Sequence, residues 1–583
     1  MAPFSTPGRI ILTRVIIFLL TVMVTCKSRD ELRGDPDNGG LLLPDEFESV
    51  VVVDSLKNRA RHIAVRDNGD IYVKSMYGED GGNVALRDVS GDGKADIIET
   101  FGDYPADGPY ATAMRIYNGY LYFSSELVVY RQKLSPGKLV PDSKIEVVLT
   151  DDHAHGGHEH IGKPVSFDDK GNMYVPFGAG SNACQELNRT PASPGIDPCP
   201  WLDEHGGIWR FSADKLNQTQ KDGFRFATGL RSIVAMDWNR TDNNLYVVMH
   251  GRDDLLMLWA DRFTPWQSAE LPSEEFLRLK EGTDAGWPYC YYDQIQAKKV
   301  LAPEYGGDGN IVGRCSEFEK PLIGFPGHWA PNDILFYTGD QYPERYKNGA
   351  FIAFHGSTNR APYPQAGYFV AFVPFVNGAP GPWEVFADGF AGVDPVVNVS
   401  DAIYRPMGIA MGPDGSLYIS DTEKGKIWRI FYTGEKDKFS QAQLAKMELR
   451  KSASNIRRPD RLEDNLNKGI VVGGEKIYQV YCGSCHQRDG EGASARFPPL
   501  ANSSWVTGNK KRLINVVLRG LEGRIEVNGE PYDGTMPQHS FLSDQEIANV
   551  LTHIRQNFGN TASAISPEEV AVERKALKNT EQK

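Results

Sequence analysis

Apolar and polar positions alternate in short runs through most of the chain, over residues 60–425. In each copy of the pattern a charged residue heads an apolar run. A turn containing Gly, Asn or Asp follows, and an apolar–tyrosine pair opens the next run. A period of two on both sides of such a turn predicts a β-hairpin. Four copies are clear: "RHIAVRDNGDIYV" (61–73), "HIGKPVSFDDKGNMYV" (160–175), "RSIVAMDWNRTDNNLYVV" (231–248) and "RPMGIAMGPDGSLYIS" (405–420).

Repeated hairpins without a strong helical period predict an all-β propeller over residues 45–435. At roughly 60 residues per blade, this length indicates six blades. A large β-sandwich is the alternative fold.

The pattern changes after Tyr432. Residues 436–466 are charged and partly helical, and we interpret them as a solvated linker. Residues 467–560 have helical periodicity at both ends, in "GGEKIYQVYC" and "SDQEIANVLTHIRQNF", which predicts a small all-α domain. Residues 561–583 are expected to form a loose, charged tail.

The N-terminus carries a signal for export. Arg9 and Arg14 precede a ten-residue apolar run, "VIIFLLTVMV", which is too short to span a bilayer. Residues 1–26 therefore form a signal peptide, of the lipoprotein type with Cys26 lipidated, and 27–44 a tether; a plain cleaved signal is the alternative. Both place the protein in the periplasm or on the outer surface, touching a membrane only through the lipid.

Charge and cysteine content narrow the function further. A net charge of −13 disfavours nucleic-acid binding, which needs a basic face. Export makes disulfides the expected state of paired cysteines. We predict two loop-closing bridges, Cys184–Cys199 and Cys290–Cys315, with free buried thiols as the alternative.

The strongest chemical motif is "YCGSCHQ", residues 481–487. Cys482 and Cys485 can each form a thioether with a haem vinyl group, and His486 can then ligate the iron. Zinc would need a second ligand pair, and a thioredoxin-like site a βαβ context. Met536 in "GTMPQHS" is the predicted second iron ligand; its rival His539 is expected at the surface.

Residues 467–560 resemble a class I mono-haem cytochrome c. In that class a segment like "FPPL" (497–500) packs against the haem. The resemblance implies a covalent haem c and a role in electron transfer.

The four residues that head the hairpins are expected to meet around the propeller's central channel. They are Arg61, His160, Arg231 and Arg405. Three arginines and a histidine suit an anionic ligand better than a structural core. Four solvated hairpin ends are the alternative.

The propeller resembles the soluble glucose/sorbosone dehydrogenases that use pyrroloquinoline quinone (PQQ). Besides the hairpins, the resemblance rests on "HGRDDL", "GTDAGWPYCYYD" and "FHGSTNRAP". It implies that His160 is the catalytic base, that Arg231 contacts the reactive edge of the quinone, and that Arg405 binds a cofactor carboxylate.

The sequence also departs from that family. Ser232 replaces an Asn beside Arg231, Met407 replaces a second cofactor-binding Arg, and the family's Lys has no counterpart. Arg360 is the candidate to replace that Lys. The predicted quinone contacts are thus Arg61, Ser232, Arg360 and Arg405.

Calcium is predicted at two places. The resemblance implies a calcium at the quinone, held by main-chain oxygens of Gly251 and Arg252. Separately, "DVSGDGKADIIE" (88–99) has the spacing of a calcium loop, in an insertion without flanking helices. An acidic surface turn is the alternative. The loop ligands would be Asp88, Ser90, Asp92, the Lys94 carbonyl, Asp96 and Glu99.

Together these features predict an exported quinohaemoprotein oxidoreductase. It would oxidise a sugar by hydride transfer to PQQ and pass electrons through the haem to a downstream carrier, such as another cytochrome or a copper protein. One alternative is an electron-transfer protein whose propeller is a non-catalytic docking module. A calcium-dependent lactone hydrolase is a further alternative, but hydrolysis has no use for a haem.

Overall fold

A computed structural model describes residues 32–77, 82–105, 112–153, 159–461, 473–493, 497–536, 538–540 and 542–581. The predicted signal peptide and Cys26 lie outside these residues. Within the described part of the chain, no helix has the length and apolar character needed to cross a bilayer.

Six antiparallel sheets form the blades of a propeller. The first strand in the chain, β1 (Phe47–Val53), belongs to the last blade. The first two blades are β2 (Ala60–Val65), β3 (Ile71–Ser75), β4 (Asn83–Arg87) and β5 (Ile97–Phe101), then β6 (Met114–Tyr117), β7 (Tyr120–Ser124), β8 (Val128–Lys133) and β9 (Ile145–Thr150). The third blade is β10 (Ser166–Phe167), β11 (Asn172–Phe177), β12 (Gly207–Ser212) and β13 (Phe224–Thr228), with β17 (Thr283–Asp284) added parallel to β13.

The remaining blades follow the same order. The fourth contains β14 (Ile233–Asn239), β15 (Asn244–Met249), β16 (Glu274–Leu279) and β20 (Ile323–Phe325). The fifth contains β21 (Pro331–Phe336), β22 (Ala350–Phe354), β23 (Phe369–Val373) and β26 (Glu384–Ala387). The sixth contains β27 (Pro406–Met411), β28 (Leu417–Asp421), β29 (Ile427–Tyr432) and β1.

Short elements fill the loops between these strands. They include two small hairpins, β18 (Cys290–Asp293) with β19 (Lys298–Leu301) and β24 (Phe375–Val376) with β25 (Ala379–Pro380), and the helices α1 (Leu255–Leu258) and α2 (Pro265–Glu270). Short 3-10 helices span Asn38–Gly40, Pro200–Asp203, Gln220–Asp222, Pro303–Tyr305, Gly313–Glu317, Glu344–Tyr346, Val399–Asp401 and Lys436–Lys438.

The four sequence repeats are the first two strands of their blades: β2–β3, β10–β11, β14–β15 and β27–β28. The predicted six-blade propeller is therefore confirmed. The N-terminal strand closes the ring, because β1 pairs antiparallel with β29 from Phe47 opposite Tyr432 to Val53 opposite Ile427.

Apolar side chains between neighbouring blades hold the ring together. Tyr122 and Trp209 pack in one cluster between the second and third blades. Phe351 and Trp428 pack in another between the fifth and sixth, and Trp428 is fully buried. Since burying apolar surface is the dominant favourable term in folding, each blade is stabilised mainly by its neighbours.

The innermost strands approach closely at the centre. A Cβ atom on Gly408 of β27 would lie 2.7 Å from the Cα atom of His62 on β2. Only glycine leaves room for this backbone contact. The contact fixes the spacing of the strands around the channel.

The C-terminal domain is helical, as predicted. Its helices are α4 (Gly474–Tyr481), α5 (Gly483–His486), α6 (Ser504–Thr507), α7 (Lys510–Arg519) and α8 (Asp544–Gln556). Ile477, Ile514 and Ile547 are buried in its core. The structure adds a feature that the helical periodicity does not show: an exposed hairpin of β30 (Leu521–Val527) and β31 (Glu530–Met536).

The described part of the predicted linker is not a solvated chain. Helix α3 (Gln441–Arg450) lies against β26, and Met447 and Ile456 are buried in a propeller cluster. Arg450 Nε is 2.6 Å from Asp388 Oδ2. The segment does join the two domains, but the expectation that it is solvated was wrong, because buried positions lie between its charged residues.

The predicted loose tail is also ordered. Residues Pro567–Glu581 form helix α9, which packs on α7 and α8. Val570 is fully buried, and Arg574 pairs with Asp544 at 2.7 Å. The cytochrome-like domain therefore extends beyond residue 560.

Candidate functional site

The four residues predicted to meet at the channel lie in one electrostatically connected region. Arg61 lies in β2, and His160, Arg231 and Arg405 lie just before the first strands of their blades. Arg231 acts on His160, while Arg61 and Arg405 both act on His355. His250 acts on both His160 and His355, so the two groups belong to one region.

Arg231 is buried and firmly held. Its guanidinium donates to the Asn182 carbonyl at 3.2 Å and Asn182 Oδ1 at 2.9 Å. It also donates to the Gly251 carbonyl at 2.6 Å and to Asp253 Oδ2 at 2.9 Å. Four of the five N–H groups of the guanidinium are thus directed at acceptors within the chain.

Asp253 is the anionic centre of this network. Arg189 lies 3.0 Å from its Oδ2 atom, and Asn359 Nδ2 donates to its Oδ1 atom at 2.6 Å. Burial raises the pKa of Asp253, but Arg231 and Arg189 outweigh burial and hold that pKa well below its usual range. Asp253 therefore stays ionised and fixes both arginines.

His160 carries an available nitrogen. Its Nε2 atom is buried and has no hydrogen-bond partner among the described residues; the nearest carboxylate oxygen, Glu159 Oε2, is 3.8 Å away. Burial and the charge of Arg231 lower the pKa of His160 well below its usual value. The imidazole is therefore neutral near pH 7, the form that can accept a proton.

Glu159 is positioned by Arg189. The two side chains form a bidentate pair, with distances of 2.7 and 3.0 Å. Arg189 also lies 2.6 Å from Asp254. This exposed arginine thus joins the segment before β10 to the loop after β15.

Four further histidines line the same region, and the sequence analysis did not assign them. Burial lowers the pKa of His62 and His250 to about 4 and lowers the pKa values of the other two. A His-Gly pair in "HGRDDL" and in "FHGSTNRAP" is the sequence signal that marks two of them. The four are His62, His250, His328 and His355.

Arg405 binds the segment around His355. Its Nη2 atom lies 2.8 Å from His355 Nδ1 and 2.5 Å from the Gly356 carbonyl, and its Nε donates to the His355 carbonyl at 3.1 Å. Glu423 lies 3.5 Å away. The guanidinium is positively charged, but most of its donors already have acceptors.

The two departures from the family lie beside these arginines. Ser232 is buried, and its backbone carbonyl accepts from the backbone N–H group of His250 at 3.0 Å. Met407 is fully buried, and its sulfur lies 3.2 Å from Asn332 Nδ2. Met407 thus contributes packing where the family has a cation.

Arg360 lies in a different environment from the one that the resemblance implies. Its Nη2 atom is 2.7 Å from Glu270 Oε1, and the side chain is 1% exposed. Its Nε and Nη1 atoms have no partner within the described chain. Glu270 also lies 3.3 Å from Arg458, in the segment after α3.

The predicted calcium contact at Gly251 is blocked in this structure. The Gly251 carbonyl accepts from Arg231, so a cation there would require that guanidinium to move. The Arg252 side chain forms a buried ion pair with Glu304. Burial raises the pKa of the neighbouring Glu274 to about 8, so that carboxyl is protonated near pH 7.

The predicted calcium loop joins the outer strands β4 and β5 of the first blade. Asp88 accepts from the Gly91 and Gly93 N–H groups at 2.6 and 2.8 Å, and Asp96 caps the Val89 N–H at 2.6 Å. Glu99 lies in β5 opposite Ala85. Among the described residues, no three His, Cys, Asp or Glu side chains are arranged to hold a metal, so calcium stays a prediction.

The second chemical site is the "YCGSCHQ" turn. Cys482 and Cys485 are free thiols in the structure, and burial raises the pKa of Cys482 to about 12. His486 Nδ1 lies 2.8 Å from the Pro498 carbonyl in "FPPL" and donates to it as a neutral imidazole. Nε2 is then the unprotonated nitrogen, directed to ligate a metal.

The predicted second ligand packs against the same apolar cluster as Cys482. Met536 ends β31 and is partly buried against the cluster that contains Cys482. His539 is 6% exposed, and its backbone N–H group donates to the Val517 carbonyl. The expectation that His539 lies on the surface was wrong. Two soft thiols, a neutral imidazole and a thioether fit a haem c.

Both predicted disulfides are present in the structure. Cys184–Cys199 closes a loop below the channel residues, and Cys290–Cys315 closes the loop after β18. The cysteine pairs bracket these loops in sequence, which made the pairing predictable.

Solved structures of two fungal proteins share the propeller fold. The calcium structure of a Trichoderma reesei carbohydrate-active enzyme of family AA12 has a TM-score of 0.54 at 19% identity, covering 68% of this chain and 97% of that one. The holo form of the pyranose dehydrogenase PQQ domain from Coprinopsis cinerea has a TM-score of 0.53 at 17% identity, covering 67% and 97%. At this identity the likeness concerns the fold.

Curated relatives match the C-terminal domain. Cytochrome c-552 of Thermus thermophilus is 37% identical over 126 residues, covering 18% of this chain and 95% of that protein. The cytochrome c subunit of a quinone-dependent alcohol dehydrogenase from Gluconacetobacter polyoxogenes is 42% identical over 94 residues, covering 16% of this chain and only 20% of that subunit.

Family models divide the chain in the same way as the structure. A cytochrome c model matches residues 471–558, and a TrAA12-like model matches residues 43–433. The propeller is thus of the PQQ-dependent sugar dehydrogenase-like type and is followed by a cytochrome c domain. This chain belongs to the TrAA12-like family.

Proposed function

We propose that this protein is an exported oxidoreductase that oxidises a sugar at the propeller and passes the electrons to a covalent haem c. The observation that carries the proposal is His160, a neutral imidazole at the channel of a TrAA12-like propeller, whose Nε2 atom has no hydrogen-bond partner among the described residues. The same chain carries a cytochrome c domain, which gives the reaction an electron acceptor.

His160 acts as the base in this proposal. Its Nε2 atom accepts the proton of a sugar hydroxyl as the carbon is oxidised. Glu159, held by Arg189, lies 3.8 Å from that nitrogen and stabilises the imidazolium that forms. Arg231 supplies positive charge beside the base and stabilises the developing oxyanion.

A quinone fits part of the pocket. The cations Arg61 and Arg405 suit an anionic quinone, with the buried Ser232 beside them. When bound, PQQ supplies the two-electron acceptor for the hydride. Arg231 is bonded to Gly251 and Asp253, so loading the pocket with quinone and calcium requires that arginine to change partners.

The haem site draws on four side chains of the C-terminal domain. Cys482 and Cys485 would form the thioethers, and His486 and Met536 would ligate the iron through Nε2 and the sulfur. When attached, the haem supplies a one-electron couple. Oxidation of one hydroxyl to a carbonyl releases two electrons and two protons, so two one-electron transfers complete each cycle.

Export, a lipid anchor at Cys26 and a downstream electron carrier complete the proposal. The apolar run at 15–24 supports export. An external one-electron carrier, such as another cytochrome or a copper protein, would reoxidise the haem. The 88–99 loop is proposed to bind calcium.

Sugar-dependent haem reduction tests the proposal. The purified full-length protein is supplied with PQQ and calcium and mixed with a panel of aldoses while the haem spectrum is recorded. We expect reduction by at least one aldose, and none in His160→Ala, whose haem spectrum stays intact. His553→Gln, on α8 outside both sites, is the control and should behave as the wild type.

The alternative is a propeller that serves only as a docking module. The bonded pair of Arg231 and Gly251 favours it, because both groups are unavailable to a cofactor in this arrangement. A wild-type protein that binds no quinone and reduces its haem with no aldose would support this alternative. Activity retained in His160→Ala would refute the role of the base.

A further inference from the structure

The propeller contacts the haem-attachment turn directly. Asn398, in the loop between β26 and β27, donates through Nδ2 to the carbonyl of Gly483 at 3.1 Å. Gly483 lies between the two haem-binding cysteines. Asn398 is only 5% exposed, so this hydrogen bond is shielded from water. Arg488 lies 3.5 Å from Asp401 at the edge of the same contact.

Apolar packing continues across the contact. Tyr363 and Ala269 of the propeller are buried in the cluster that forms the core of the cytochrome domain. Cys482 and Trp266 are partly buried against that cluster. A tyrosine ring of the propeller thus shares a buried environment with a haem-binding cysteine.

The chain that joins the two domains is anchored at the same place. Trp266 of α2 donates through Nε1 to the Pro459 carbonyl at 2.8 Å, and the Arg461 guanidinium lies 5.0 Å from the centre of its ring. Only residues 462–472 separate this anchor from the cytochrome domain. A connection this short keeps the effective concentration of one domain near the other high.

A short segment links the contact to the channel. Asn359 donates to Asp253, which pairs with Arg231. Four residues further along the chain, Tyr363 packs on the cytochrome domain, and its N–H donates to the Arg360 carbonyl at 2.9 Å. The segment 359–363 therefore connects the candidate active site, through the Asn359–Asp253 hydrogen bond, with the apolar core of the cytochrome domain, where Tyr363 is buried.

We propose that Tyr363 and the loop 397–401 form an electron port, the surface through which electrons leave the propeller and enter the haem. The inference rests on the proposed function. Each of the two electrons released per oxidised hydroxyl crosses the port separately and reduces ferric haem to ferrous haem. An external one-electron carrier reoxidises the haem between the two transfers.

The Asn398→Asp variant is designed to disrupt the electron port without unfolding the propeller. The backbone N–H of Asp401 donates to the backbone carbonyl of residue 398 at 3.0 Å, and the substitution leaves this hydrogen bond of the Val399–Asp401 turn in place. It removes the donor to Gly483 and places an oxygen against that carbonyl. A buried unpaired polar pair of this kind costs enough to lower the docked population about tenfold. Arg488→Glu weakens the edge of the port, and Arg524→Glu on the exposed β30 is its charge-matched control.

Two measurements test the electron port. Small-angle scattering of the haem-loaded chain, without quinone, reports docking. We expect a compact wild type and control, and a larger radius of gyration in Asn398→Asp. Stopped-flow mixing with sugar, after addition of PQQ and calcium, reports electron transfer. We expect haem reduction to slow about tenfold in Asn398→Asp, while a dye that takes electrons at the propeller is reduced at the wild-type rate.

The outcomes separate the port from the proposed function. Wild-type haem reduction rates in an undocked Asn398→Asp chain would overturn the port. An extended wild type would overturn it as well. A wild type that reduces neither dye nor haem contradicts the proposed function and the electron route together, while scattering still decides whether the domains dock through Asn398.

Discussion

The chemistry of the candidate site depends on which side chains neutralise one another. Arg231 and Arg189 both pair with Asp253, whereas the His160 Nε2 atom has no hydrogen-bond partner among the described residues. Sequence analysis identified His160 and Arg231 because they head visible repeats. Asp253 and Asn359 lie in loops without periodicity, so only the folded chain brings them to the same point. The same limit applies to Arg360, whose partner Glu270 lies 90 residues away in sequence.

Removing the charge of Arg189 should shift the acid limb of the pH–activity profile. The charge of Arg189 is one cause of the lowered pKa of His160. Arg189→Gln should raise that pKa towards the ordinary value of 6.5, because a cation is lost and Glu159 loses its ion-pair partner. A base must be neutral, so activity should disappear at a higher pH than in the wild type.

The measurement is kcat/KM against pH in a dye-coupled assay, which reports the free enzyme. Arg210→Gln, which removes an outer-blade pair with Glu281, is the control and should leave the acid limb in place. An unchanged acid limb in Arg189→Gln would show that His160 is not the titrating base.

At the scale of elements, the alternation of apolar and polar residues predicted the propeller strands well. The abundance of charged residues was a poor guide to the helices. Hairpin repeats are visible in a sequence because the alternation of apolar residues and the residues of the turns predict the same structure. Helices α3 and α9 were predicted as linker and tail because charged residues dominate them. Both bury a narrow apolar face, with Met447 in α3 and Val570 in α9. The β30–β31 hairpin was missed because its strands are mostly exposed and lack apolar alternation.

Helix α9 offers a matched pair of substitutions. Val570 is fully buried, whereas Val572 on the same helix is 65% exposed. Val570→Asp should destabilise the cytochrome domain by about 3 kcal/mol or more, because it buries an unpaired charge in place of an apolar contact. Val572→Asp should change stability by less than about 0.5 kcal/mol.

Thermal unfolding of the full chain, followed at the haem absorption band, checks this prediction. Near-ultraviolet circular dichroism of the propeller serves as the internal reference. Equal effects of the two substitutions would mean that α9 does not pack on the domain in solution.

At the scale of the whole molecule, two modules share one anchored connection. The propeller holds α3 and the residues up to Arg461, so only residues 462–472 join this anchored segment to the cytochrome domain. Sequence analysis predicted both modules and their order. It could not predict that they touch, because the contact depends on single residues such as Asn398 and Tyr363 in irregular loops.

Releasing α3 should weaken communication between the modules. Met447 is 1% exposed and Leu449 is 74% exposed. Met447→Asp should detach α3, lengthen the free connection and lower the effective concentration of the cytochrome at the propeller several-fold. Sugar-dependent haem reduction should slow accordingly, and reduction of the dye should not.

Leu449→Asp is the control, because it adds the same charge on the exposed side of the helix. Stopped-flow rates of haem reduction distinguish the two variants. Identical rates would indicate that the contact at Asn398, and not the anchored connection, sets the docking equilibrium.

The pairing of β1 with β29 also orders events during biosynthesis. The strand that locks the ring is the first to be made, and its partner is made last among the blade strands. Until Tyr432 has been synthesised, both edges of the growing sheet stack are unpaired and open to other chains. The haem-attachment turn follows only 50 residues later. Ring closure and haem attachment therefore depend on neighbouring stretches of the chain, so both must wait until β29 and this turn are available.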